Sequence, residues 1–161
     1  MIVASQCTTD VVLDTNVLSH ADNAGAPQHE SALRVLEWMS GCDVLWILDD
    51  QGKSAPDPAT SVLYSEYRRT LAPQGYAITL FIACLGSNRI RFARRPDRPI
   101  RESVKRLVPR NTRDQAVLGA AHGSTDRVLV SNDMRDFSPR VREDTKHELS
   151  VMILDSDEAV S

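Results

Sequence analysis

No stretch of this 161-residue sequence is apolar enough for long enough to cross a membrane. The longest mainly apolar run, Ala77 to Leu85, falls far short of the roughly 20 residues a bilayer requires. Met1-Ile2-Val3-Ala4 offers neither a basic leader nor an adequate apolar core, so no signal peptide is expected and the expected location is the cytoplasm. Cysteine is sparse. Cys7, Cys42 and Cys84 are odd in number and scattered, with no C-x-x-C pair, which argues for buried thiols over a disulfide frame or a zinc site. His20, His29, His122 and His147 show no metal-ligand spacing and read as surface or satisfied polar residues. Internal repeats and low-complexity tracts are also missing. What remains is a chain of ordinary globular composition, 42% apolar and 25% charged, sized for one domain over residues 1–161.

Short apolar runs alternate with helical periodicities along the whole chain. Strands are predicted over Asp10 to Asp14, Val44 to Leu48, Arg89 to Ala93 (alternating, hence an edge), Val128 to Val130 and Leu149 to Leu154. Helices are predicted over Thr15 to Ala21, Gln28 to Ser40, Pro58 to about Leu71 behind an Asp57 cap, and Tyr76 to Leu85, the last buried nearly all round. Further helices are expected around Arg101 to Leu107 and from a Thr112–Gln115 capping box to about His122. This order predicts an α/β fold with a parallel sheet and right-handed crossovers.

Four acids stand out by position. Asp14 and Asp133 follow strands, at the edge where open α/β sheets bind ligands. Glu66 lies three residues after Leu63 and four after Val62, on the apolar face of its helix. Asp114 falls in the first turn of a helix. Two carboxylates about 4 Å apart repel by roughly 4 kcal/mol at an effective dielectric near 20, so such a cluster is built for function and not for stability. Mg²⁺ or Mn²⁺ is the counterion that suits a few carboxylates. Each acid also has a plainer role to set against this. Asp14 would cap the following helix, Asp114 would answer the helix dipole, Asp133 would shape a turn, and Glu66 would pair with an arginine of the basic segment. Asp49 and Asp50 read as turn acids.

A net charge of −3 hides a strong asymmetry: between Arg89 and Arg113 ten basic residues face only Asp97 and Glu102. Such a strip suits a polyanion beside an acidic pocket; the alternative is a solvated loop.

Together these motifs resemble those of the PIN-domain nucleases. The resemblance rests on Asp14-Thr15-Asn16, Ser65-Glu66-Tyr67, Arg113-Asp114-Gln115, and Ser131-Asn132-Asp133 before Asp136-Phe137, and spans about residues 10–155. It implies a three-layer α/β/α domain with a five-stranded parallel sheet in the order 3-2-1-4-5. It also implies a Mg²⁺- or Mn²⁺-dependent ribonuclease acting on single-stranded RNA and leaving 5′-phosphate and 3′-hydroxyl ends. By the same resemblance Asp14, Glu66, Asp114 and Asp133 are the catalytic, metal-binding acids, with Asp136 a fifth. Asn16 and Ser131 would orient them through hydrogen bonds, and Arg94, Arg95 and Arg98 would track the RNA backbone. An antitoxin protein and a homodimer are the partners that the family suggests. The interval from Asp14 to Glu66 is longer than in the compact VapC-type toxins. A separate branch of bacterial PIN-like proteins, with a D-G-K-type turn before an E-Y pair, is more similar.

Two other classes compete with a ribonuclease. A PIN-like module without catalysis would bind RNA or protein through the same fold. A haloacid-dehalogenase-type phosphotransferase would want an Asp where Asn16 stands. Asp14→Asn is expected to separate the first two, abolishing cleavage while leaving the metal-free chain as stable as before.

Overall fold

A computed structural model describes all 161 residues. Its centre is a single five-stranded, all-parallel sheet in the order β3-β2-β1-β4-β5, flanked by nine α-helices. The strands are β1 (Asp10–Leu13), β2 (Leu45–Asp49), β3 (Ile90–Ala93), β4 (Val128–Val130) and β5 (Met152–Leu154). All of β1 and β4 is buried, as expected of central strands covered by helices on both faces. Beside them the edge strand β3 leaves Arg91 exposed between buried Ile90 and Ala93. The buried apolar side chains form one continuous cluster. No helix is long and apolar enough to cross a membrane.

The helices are α1 (Ile2–Gln6), α2 (Thr15–Ala21), α3 (His29–Ser40), α4 (Val62–Thr70), α5 (Tyr76–Gly86), α6 (Arg98–Leu107), α7 (Thr112–Gly123), α8 (Pro139–Leu149) and α9 (Ser156–Val160). Order 3-2-1-4-5 reverses direction at β1, whose neighbours are β2 on one side and β4 on the other. The chain leaving β1 and the chain leaving β4 therefore diverge, opening a crevice at their C-terminal ends. Leu13 is in register with Val130, so Asp14 and Ser131 emerge side by side.

Several elements differ from their sequence-based expectation. The helix expected from Pro58 is broken in two: Asp57 caps a single 3₁₀ turn, Pro58–Thr60, and Ser61 is extended before α4 begins. The break is stabilised because Asp49, at the end of β2, takes up the free N–H groups of the new start. The helix opening at Thr112 is capped by Asn111, whose side chain accepts from the Arg113 N–H; Gln115 donates instead to the Val108 carbonyl, so there is no capping box. Helix α5 is not buried all round, since Tyr76, Ile82 and Leu85 are exposed. Leu149 ends α8 and does not open β5. The two chain ends, unremarkable as sequence, form α1 and α9, which pack on each other, with α9 also against α3.

The floor beneath the crevice is aromatic. Tyr67 of α4 is fully buried; it accepts from the Trp46 indole N–H (3.2 Å) and donates to the Leu13 carbonyl, immediately before Asp14. Tyr64 stacks on Phe81, with ring centroids 5.2 Å apart. Both tyrosines of α4 thus pack within the protein.

Candidate metal centre

Asp14 is the most constrained residue of the crevice. Its N–H donates to the Val130 carbonyl (3.0 Å), the last rung between β1 and β4. Its Oδ1 accepts from the Thr15 N–H (2.7 Å), and its Oδ2 accepts from the Ser131 hydroxyl (2.6 Å) and the Asn16 amide (3.0 Å). Asn16 in turn accepts from the Asn132 N–H (2.8 Å) and so ties α2 to the end of β4. Burial raises the pKa of Asp14, against the opposing pull of its three donors.

Asp133 follows two residues after Ser131, whose hydroxyl accepts from its N–H (3.2 Å). Its Oδ1 accepts from the N–H groups of Arg135 (2.9 Å) and Asp136 (3.0 Å), folding the loop back so that Asp136 joins the site. Asp114 reaches the same place from the first turn of α7. Carboxylate oxygens of Asp114, Asp133 and Asp136 lie within 4.8 Å of one another, close enough to share one cation.

Asp114 carries the strongest electrostatic signature. It is 6% exposed, and its Oδ2 is buried without any hydrogen-bond partner. Its pKa is pushed up to about 8, first by burial, then by the neighbouring Asp136 carboxyl and the charges of Asp14 and Asp133. An ionised, unpartnered carboxylate is costly at such a position, and either a proton or a cation relieves it. The donor set is all oxygen, the coordination that Mg²⁺ and Mn²⁺ take. The residues therefore fit a hard divalent ion, with Asp114, Asp133 and Asp136 as its holders and Asp14 adjoining.

Asp14, Glu66, Asp114 and Asp133 all line one cavity of about 230 Å³, together with Asn16, His20 and Arg113. Of the two roles read for Glu66 in the sequence, a site acid and an ion pair with an arginine of the basic segment, the structure shows the pairing, on the wall of the same cavity. The Glu66 carboxylate is engaged by Arg113 and Arg69 and accepts from the Thr70 hydroxyl (3.3 Å), and it stands outside the compact group of acids. The ion pair to Arg113, a residue of the basic segment, holds the Glu66 carboxyl below its ordinary range against the effect of partial burial. The pairing arises because Arg113, next to Asp114 in α7, and Glu66 in α4 face each other across the cavity mouth. Asp49 and Asp50 are more than turn acids: Asp49 caps α4, and Asp50 accepts from Gly52 N–H (2.7 Å) and Arg95 N–H (3.0 Å), joining the turn after β2 to the one after β3.

His20 and Arg113 are cavity residues that sequence reasoning overlooked. His20 had a readable signal, since it lies four residues after Asn16 on the same face of α2. The Asn132 carbonyl oxygen accepts from the Ser156 N–H (2.8 Å), which turns the Asn132 amide NH₂ to donate to His20 Nδ1 (3.0 Å). Nδ1 is thereby the acceptor and Nε2 carries the proton, in line with burial lowering the pKa of this imidazole. Arg94, Arg95 and Arg98 do not line the acidic cavity. They line a separate cleft on the other side of α7.

A pH dependence follows from Asp114. Its folded-state pKa of about 8 lies above the ordinary 3.8, so the folded chain holds a proton that the unfolded chain releases. Stability from this group is complete below about pH 4, falls as the pH rises towards 8, and is flat above. Urea melts of the metal-free protein in chelator at pH 5 and pH 8 should show the wild type losing stability relative to Asp114→Asn across that interval. Parallel pH profiles would show that Asp114 is not the titrating group.

No protein-family model matches the chain, and no curated protein is similar to it in sequence.

Proposed function

We propose that the protein is a divalent-metal-dependent endoribonuclease acting on single-stranded RNA, of the PIN-like kind that its motifs resemble. The observation that carries this reading is the convergence of Asp114, Asp133 and Asp136 at the C-terminal edge of the sheet, with one buried carboxylate oxygen lacking any partner. The strand order 3-2-1-4-5, which the resemblance implies, supports it as well.

A divalent ion held by the three acids would polarise the scissile phosphate and acidify an attacking water. The chain's own residues prepare the site. Ser131, Asn16 and the Thr15 N–H fix the Asp14 carboxylate between β1 and β4, and the Asp133 turn fixes Asp136. Arg113, at the mouth and paired with Glu66, would meet an entering phosphate by exchanging that partner. The neutral His20 offers the cavity a hydrogen-bond donor without adding charge. Hydrolysis then forms a bond from water oxygen to phosphorus and breaks the bond to the 3′ oxygen, which leaves as a 3′-hydroxyl opposite a 5′-phosphate.

Incubating the purified protein with end-labelled single-stranded RNA should give Mn²⁺-dependent fragments with 5′-phosphate ends that chelator suppresses. The Glu66 ion pairs favour a second reading, a module that binds RNA or protein without cleaving it. Intact RNA in Mn²⁺, together with a melting temperature indifferent to Mn²⁺, would establish that second reading.

A further inference from the structure

A second cavity, about twice the volume of the acidic one, lies beyond α7. A cleft of about 450 Å³ opens between α6, α7 and the segments that follow β2 and β3, a volume in the range of small-ligand sites. Its wall carries five cations: Arg94, Arg95, Arg98, Arg101 and Lys105. Of these, only Arg98 makes an ion pair; Arg94, Arg95, Arg101 and Lys105 make none. Asp49, Asp50 and Glu102 share the wall and offset part of this charge, leaving cations in excess by two. Asp49 and Asp50 spend their oxygens on N–H and O–H donors, and Glu102 pairs with Arg98 across an exposed turn of α6. Small residues keep the inner wall open: Ala93 from β3, and Ala116, Gly119 and Ala120 from α7. The inner wall is thus small and apolar and the rim cationic, which leaves room for a flat ring with its phosphate towards the cations.

Helix α7 separates the two cavities. At about 100° per residue, Arg113, Asp114 and Val117 fall on the face lining the acidic cavity, while Thr112, Gln115 and Ala116 fall on the face lining the basic cleft. Its first turn is the divide that a polymer must cross to touch both.

We infer that the cleft between α6 and α7 is a second nucleotide-binding site, which holds one nucleotide of the RNA strand whose scissile phosphate lies among Asp114, Asp133 and Asp136. This rests on the ribonuclease reading and adds to it. The strand crosses the first turn of α7, and the minimal substrate is longer than a dinucleotide.

Binding of a fluorescent single-stranded RNA of about ten nucleotides, measured by anisotropy in chelator, tests the inference without cleavage. Arg94→Ala/Arg95→Ala should weaken binding about tenfold at low salt and lower the slope of log affinity against log salt by roughly 1.4. Ala116→Leu, which narrows the cleft without altering charge, should also weaken it. Gly119→Ala, whose added methyl enters the cleft wall and meets only the Pro96 ring at ordinary contact distance (3.5 Å), serves the same purpose should the leucine variant not fold. Unchanged affinity in these variants overturns the inference. A loss confined to the charge variants, with Ala116→Leu binding normally, overturns it too and leaves only a basic surface. If adenosine 5′-monophosphate binds the cleft but fails to compete with the RNA, the site serves a free nucleotide and the strand assignment is wrong. RNA that binds through the cleft yet is never cut in Mn²⁺ would sink the nuclease reading alone.

Discussion

Asp114→Asn is expected to lower Mn²⁺-dependent RNA cleavage by about a thousandfold, or roughly 4 kcal/mol of transition-state stabilisation. The same variant should remove most of the Mn²⁺-induced rise in melting temperature expected of the wild type at pH 8. Both effects come from one oxygen. The Oδ2 of Asp114 is buried and unpartnered, so in the metal-free protein it contributes repulsion and no bond. An amide there removes the repulsion and, with it, the reason for a cation to bind. Above about pH 8 the metal-free variant should therefore be the more stable of the two. Asp14→Asn, the natural choice from the sequence, is a poorer probe. Both Asp14 oxygens accept hydrogen bonds from Thr15, Asn16 and Ser131, so an amide would turn a donor towards donors and cost stability for reasons unrelated to metal. If Asp114→Asn retains wild-type cleavage and wild-type response to Mn²⁺, the proposed centre is wrong.

Asp49→Ala should destabilise the fold by about 3 kcal/mol, lowering the melting temperature by roughly 6–12 °C for a chain of this length. The Asp49 carboxylate accepts from the Ser61 hydroxyl (2.7 Å), the Leu63 N–H (2.9 Å), the Val62 N–H (3.0 Å) and the Gln51 amide (2.7 Å). It closes the start of α4 from across the loop, adding to the adjacent N-cap Ser61, whose hydroxyl accepts from the Tyr64 N–H (3.1 Å). Removing the Asp49 carboxylate leaves two helical N–H groups without partners and the buried Ser61 hydroxyl, which still accepts from the Tyr64 N–H, without an acceptor. Because α4 also carries Tyr67, which holds the Leu13 carbonyl under the crevice, the variant should lose activity before it loses its fold. Urea unfolding that shifts by less than about 1 kcal/mol would show that Ser61 alone caps the helix.

Part of the site was readable in the residue order because its determinants are local. Asp14 follows an apolar run, and Asp114 stands three residues into a helix. Asp136 is three residues beyond Asp133, within reach of its turn. Glu66 shows where local reasoning ends. Its place on the apolar face of α4 was legible, yet either an arginine or a metal could answer it. Choosing between them takes the distance to Arg113, 47 residues away in sequence. Asp49 shows the same limit from the other side, for an acid at a strand end looks like a turn residue until the helix it caps is in place.

The order of strands and helices, the parallel sheet and the burial of its central strands were set by hydrophobic period and chain punctuation, which act over a few residues at a time. Folding alone decided which carboxylates share a cavity, which arginine neutralises Glu66, and that the basic segment faces a cleft of its own on the far side of α7. Those outcomes depend on distances between segments far apart in the chain, and the Coulomb and desolvation energies that govern them change steeply over a few ångströms.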